Sequence, residues 1–400
     1  MLGHEEPLSE VFAVADAVLA VGGLAARDEV LLLLRHVAIQ QQFGLVDAEA
    51  RVARALDVAV AAGDRSLQAA ALRVRGQLSR QRGRPVEAEQ DLVQALEYAQ
   101  RADHDDAHAN ALATLGTLYR ELGRYDEARR AYEALVALCE ARGLREHRIT
   151  AYGNLALLER RAGRFELARQ RYEDSLAWAL ERGDGYSEAI ARIGLGNLQL
   201  DLGELDAARA TYERALGLAR RLGLVHMEAQ IAGNLGLVAR LQGDLPAARR
   251  ASERALVLFQ ATTNPREEAI ARGNLGEVAL LEGDLDQAEA LLSRSARSLR
   301  ALGDRVSEAE MLGPLAEVAI ARGQLAAARA HLEDALATAR GSGNPLAAAQ
   351  VLVRRGLLEL AEGADAAATL SEAEALAEGV GGASEAGRLL ERLRRAVAGA

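Results

Sequence analysis

The sequence predicts an all-α fold, a solenoid of stacked helix pairs, and three regularities carry that reading. Glycines stand at Gly83, Gly123, Gly163, Gly203, Gly243, Gly283, Gly323 and Gly363, each forty residues after the last. Five residues past each comes an alanine: Ala88, Ala128, Ala168, Ala208, Ala248, Ala288, Ala328 and Ala368. A fixed period in this range marks a repeat array whose units stack on their neighbours. Between the glycines the apolar residues fall at i, i+4 and i+7, as in Ala111, Leu115 and Leu118 or Ile231, Leu235 and Val238. That spacing lines one helical face, and no period-two alternation is sustained to suggest strands.

The elements follow in order. Residues 1–23 are expected to form a half repeat or capping helix. Gly3 falls on the glycine ladder, and Phe12 and Ala15 match Leu92 and Ala95. The chain thus begins at the turn inside a repeat, either as an N-terminal cap or as the tail of a longer polypeptide. Residues 24–379 form the array of nine repeats. The first is degenerate, with Phe43 in the glycine slot and Gly44 one later, as terminal repeats often are.

In each later repeat two helices of about 16 residues are expected around the ladder glycine, which takes the left-handed conformation that ends a helix. A second set, Gly63, Gly143, Gly183, Gly223, Gly303 and Gly343, closes the second helices. Asp64, Asp184 and Asp304 then start the next helix, as do Asn264-Pro265 and Asn344-Pro345, each a capping side chain followed by proline. Pro314, inside a first helix and preceded by Gly313, predicts a kink. Residues 380–400 carry Arg388, Arg392, Arg394 and Arg395 and are expected to be a solvating C-terminal helix and tail.

Composition excludes several function classes. Half of the 400 residues are apolar but only 3% are aromatic, which suits close-packed helices. There is no lysine, so all 48 basic residues are arginine and no lysine-bearing phosphate loop exists. The net charge of −10 argues against direct nucleic-acid binding. One cysteine, Cys139, allows neither an internal disulfide nor a multi-cysteine zinc site, and it reads as a packing thiol. His104 and His108 lie beside Asp105 and Asp106, where the acids are explained by a helix start rather than by a metal. No cofactor, metal or catalytic residue is expected. No apolar run is long enough to span a membrane and no basic leader precedes Val11, so a cytoplasmic location is expected.

A small residue recurs in the first helices (Gly76, Gly116, Gly196, Gly236, Gly276, Gly356), followed twelve residues later by the ladder alanine and four beyond that by a bulky residue such as Leu92, Tyr132, Tyr172 or Tyr212. These residues resemble the tetratricopeptide repeat family from about residue 25 to 379. The unit is forty residues, longer than the commoner form. It is similar to the Leu-Gly-Asn repeat adaptors, the kinesin light chains and bacterial regulators with helical sensor arrays. The resemblance implies a right-handed superhelix whose concave wall is formed by first helices and holds peptides or partner domains.

Helical geometry places one set of polar residues on the wall opposite the leucine face. It comprises Arg80, Asn110, Thr117, Arg120, Asn154, Arg160, Asn197, Gln230, Asn234, Arg240, Asn274, Glu277, Glu310 and Glu317. Asparagines offer both a donor and an acceptor to an extended peptide, and arginines offer bidentate grips on carboxylates. The later glutamates turn the groove acidic toward its C-terminal end. The expected function is a non-enzymatic scaffold for a protein or extended peptide, monomeric or weakly self-associating. The alternative is the C-terminal sensor or regulatory module of a larger bacterial signalling protein, such as a transcription regulator, ATPase or kinase.

Overall fold

The computed structural model describes residues 14–43, 48–262, 264–341, 345–378 and 384–399, and all regular structure among them is helical. The leading residues through Ala13, the stretch Gly44–Asp47 and the turn expected at Gly343-Asn344 lie outside these residues. A helical stretch covers 14–21. Nine helix pairs follow: α1 (Ala26–Phe43) with α2 (Ala48–Ala61), α3 (Arg65–Gln81) with α4 (Pro85–Arg101), and α5 (Asp105–Glu121) with α6 (Tyr125–Arg142). Next come α7 (Arg145–Arg161) with α8 (Phe165–Arg182), α9 (Gly185–Asp201) with α10 (Leu205–Arg221), and α11 (Val225–Gln242) with α12 (Leu245–Ala261). The last pairs are α13 (Pro265–Glu282) with α14 (Leu285–Ala301), α15 (Arg305–Ala321) with α16 (Leu325–Gly341), and α17 (Pro345–Ala361) with α18 (Ala367–Leu376). Helix α19 (Glu385–Ala398) ends the chain.

The turns form for local reasons. Every ladder glycine from Gly83 to Gly363 has φ between 70° and 83°, a region that costs an L-residue about 1–2 kcal/mol. Several helices are also capped by a side chain at the N-terminus, chiefly those that open a repeat. Asp64 accepts from the Ser66 N–H at 2.9 Å, Asp284 from Gln287 at 3.0 Å and Asp304 from Ser307 at 3.0 Å. His104 does the same work, its Nδ1 accepting from the Ala107 N–H at 3.2 Å. In the turn before it Asp103 stands where other repeats have glycine, at φ 47°, the one described non-glycine residue with positive φ.

Close helix approach explains the small residues. A Cβ on Gly116 would stand 2.5 Å from the Tyr132 ring, and one on Gly76 would stand 2.8 Å from Leu92. The side chains so admitted are wholly buried, as are the ladder alanines from Ala88 to Ala328. Each large apolar side chain buried this way contributes about 1.5–3 kcal/mol. In the final repeat the register slips. Ala368 is exposed and Ala366 is buried instead, because α18 starts two residues late and runs for only 10 residues. Its shortness leaves Gly356 without a partner on α18. Leu393 of α19 fills the place, 2.7 Å from where a Cβ would be.

Helix α15 runs through Pro314 as one helix, although the ring removes the N–H that would serve the Glu310 carbonyl. Gly313 has a different use: a Cβ there would press on the Arg354 side chain at 3.1 Å. The chain divides into two compact units, Met1–Leu155 and Ala156–Ala400. In the first, Leu19, Val30, Leu33, Val52 and Leu67 share one core, and Arg51 ties α2 to the 14–21 stretch through Asp16 at 2.6 Å. Cys139 is buried in this unit beside Leu112 and Leu135, and burial pushes its thiol pKa up. In the second, the most extensive core runs from Ala269 to Leu393.

Candidate functional site

The wall positions in the first unit are largely engaged with their own neighbours. Arg80 donates to both carboxylate oxygens of Glu121 at 2.5 and 2.6 Å, and Arg120 lies 3.7 Å from the same acid. Thr117 meets the Tyr132 hydroxyl at 3.1 Å. Asn110 and Asn154 are half-buried.

In the second unit the first helices draw the remaining positions around three adjoining cavities. The first, about 230 Å³, is lined by Arg160, Asn197, Asp201 and Asn234 together with Leu346, Gln350 and Glu385. The second, about 380 Å³, carries Arg160, Arg240, Asn274, Glu277 and Glu310. The third, about 200 Å³, holds Arg240, Glu277 and Glu317 against Arg388 and Arg392. Gln230 is exposed and lines none of the three.

Within this wall most of the charges are paired. Arg160 donates to Asp201 at 2.6 Å. Arg240 bridges Glu277 at 2.9 Å and Glu385 at 3.2 Å. Glu317 takes Arg354 at 2.9 Å and also Arg392. Burial raises Asp201, opposed by Arg160, whereas Arg354 and Arg392 overcome burial and hold Glu317 below the usual carboxylate range. The asparagines form a short ladder of their own. Asn234 donates to the Asn197 carbonyl oxygen at 3.2 Å, and that oxygen also accepts from the buried Tyr212 hydroxyl at 2.6 Å. The side chains of Asn274 and Glu310 make no hydrogen bond or ion pair with any described residue, and both line the second cavity.

Two groups of residues here escaped the sequence pattern. Glu121 and Asp201 sit 41 residues after the arginines they neutralise, and their recurrence two residues before a ladder glycine was a usable signal. Leu346, Gln350, Arg354 and Glu385 had none. They reach the wall only because the second unit curls far enough for α17 and α19 to face α9 and α11, so that Arg240 meets a residue 145 positions away.

Family models described as tetratricopeptide repeat match residues 67–141, 147–221 and 227–302, more than half of the chain, and two further ones match residues 113–177 and 312–334. No curated protein sequence matches. Among solved structures the chain is similar to a Rap protein complexed with Competence and Sporulation Factor, at 14% identity, covering 88% of this chain and 99% of that one with a TM-score of 0.65. It is also similar to a plasmid's Rap conjugation gene regulator in complex with a Phr peptide (13% identity, 80% and 92% covered, TM-score 0.55). A third is a signal transduction ATPase with numerous domains bearing a tetratricopeptide repeat sensor, from Pyrococcus horikoshii (18% identity, TM-score 0.51). The match covers 84% of this chain and 52% of that one. At these identities the likeness is one of fold.

Proposed function

The chain belongs to the tetratricopeptide repeat family, and from that premise we propose that it is a non-enzymatic scaffold that holds an extended peptide, free or as part of a protein. The observation that carries the reading is the line of three cavities along the first-helix wall of the second unit. Its floor combines paired charges that fix the wall's shape with a free amide, Asn274, able to give and accept a hydrogen bond. The complexes of the two Rap proteins support the same class of ligand.

The test is selection of binding peptides on the intact protein, followed by the double variant Asn234→Ala with Asn274→Ala. Binding should weaken by tenfold or more in a variant that still folds, its melting lowered at most by the lost Asn234–Asn197 hydrogen bond. A folded double variant that binds as before would refute the groove assignment. The second reading, a sensor module of a larger signalling protein, is supported by the likeness to the ATPase sensor. An effector domain encoded in frame upstream would establish it, and an in-frame stop just before Met1 would refute it.

A further inference from the structure

The second cavity has walls of two kinds. Ile270, Val306, Met311 and Leu346 supply apolar surface, and one carboxylate, Glu310, is left over among charges that otherwise pair. Arg160 is matched by Asp201, Arg240 by Glu277 and Glu385, and Arg354 by Glu317. None of these arginines, nor Arg161 on the same wall, pairs with Glu310. The residue is solvent-exposed and lines the open cavity.

We propose that this cavity takes a basic side chain of the bound peptide, a lysine or arginine whose charged head sits on Glu310 and whose stem lies along the apolar wall. The inference rests on the peptide-binding reading above and names the chemistry of its ligand. Lysine and arginine are the side chains that join a long apolar stem to a cationic tip. At about 380 Å³ the space falls in the ~300–1,000 Å³ range of small-ligand sites, enough for one such side chain and its backbone. Asn274, Gln350 and Thr338 stand around it to meet that backbone. No group of three His, Cys, Asp or Glu converges among the described residues, which favours an organic cation over a metal ion.

The pairing carries a pH signature. Burial comes first, then the charges of Asp304, Glu385 and Glu277, opposed by Arg266, and together they push the Glu310 carboxyl up to about 7. Arg240 and Arg354 face the same space from α11 and α17, and Arg160, Arg161 and Asp201 from α7 and α9. A cation binds the ionised form, so affinity should rise with pH through 7 and level off above it. Between pH 8 and pH 6 the ionised fraction falls roughly tenfold, and the affinity with it.

The experiment uses the full chain and four pools of acetylated, amidated hexapeptides, each with one central residue fixed as Arg, Lys, Ala or Glu. Agmatine, a guanidinium without a peptide, runs alongside, with binding measured at pH 6 and pH 8. The Arg and Lys pools should bind at least tenfold tighter than the Ala pool at pH 8. In Glu310→Gln the preference for the Arg and Lys pools over the Ala pool, and its pH dependence, should vanish. Peptide binding with no basic preference, or a preference that survives Glu310→Gln, overturns this inference and leaves the peptide reading standing. Agmatine binding as tightly as the Arg pool overturns the peptide assignment of the cation. No binding of any pool overturns the peptide reading itself.

Discussion

A carboxyl group facing a protein-walled cavity titrates against a background unlike that of an outer surface, and Glu310 shows the consequence for stability. In the unfolded chain a glutamate ionises near about 4.3. In the folded chain the group holds its proton up to about 7. Between these values the folded state binds a proton that the unfolded state has released, so stability falls as pH rises through that window. Glu310→Gln should therefore melt at a higher temperature than the parent at pH 8 and at the same temperature at pH 4. Equal shifts at both values would mean that the carboxylate is not the source. The surplus acid was legible at this scale, since Glu277 and Glu317 share one position of the repeat and Glu310 falls on the same helical wall, seven residues before Glu317. What remained hidden was which of the three stays unpaired. That depends on Arg240 and Arg354 arriving from other helices, and helical phase says nothing about those distances.

Among the elements, helix bounds and turns were the most legible features, because glycine at positive φ and an aspartate cap act within a few residues of themselves. Where the pattern broke, the chain found a local substitute. Asp103 accepts the left-handed conformation between α4 and α5 that glycine takes at Gly63, Gly143 and Gly183 in the corresponding turns. Its side chain also meets Arg142 at 2.9 Å, but with 78% of the aspartate side chain exposed that pair is worth little. Asp103→Gly should thus stabilise the protein by about 0.5–1 kcal/mol, the conformational cost outweighing the lost ion pair. A calorimetric or urea-unfolding measurement showing destabilisation would mean that the Arg142 contact outweighs the backbone term. Pro314 was legible as an anomaly, but its neighbour mattered for a reason no local signal carries. Gly313 leaves room for Arg354 to cross the backbone of α15 on its way to Glu317. The short α18 likewise read only as a fading repeat, and nothing in its own sequence shows that Leu393 replaces the missing packing against Gly356.

At the scale of the molecule, a repeat array is expected to be stabilised by contacts between neighbours, so that a lesion spreads only as far as the next unit. The first unit conforms in its wall contacts, where Arg80 reaches the following repeat at Glu121. The second unit departs from this rule because α19 lies across the wall as well as on the last repeat. It buries Leu390 and Leu393, places Glu385 on Arg240 and sets Arg392 on Glu317. Removing it would uncover the Gly356 cleft and leave Arg240 with Glu277 alone. Loss of one partner from a largely buried charge group costs up to about 3–5 kcal/mol. A chain ending after Ala383 should therefore show faster amide hydrogen exchange in Pro345–Ala361 and also in Val225–Gln242, despite the two repeats between theirs in sequence. Glu385→Gln separates the causes, since it keeps the helix and its leucines while removing the charge. It should raise exchange at Val225–Gln242 and leave Pro345–Ala361 as it was. Exchange confined to Pro345–Leu376 in the shortened chain would mean that stability passes only from neighbour to neighbour. The wall would then keep its shape without the C-terminal helix.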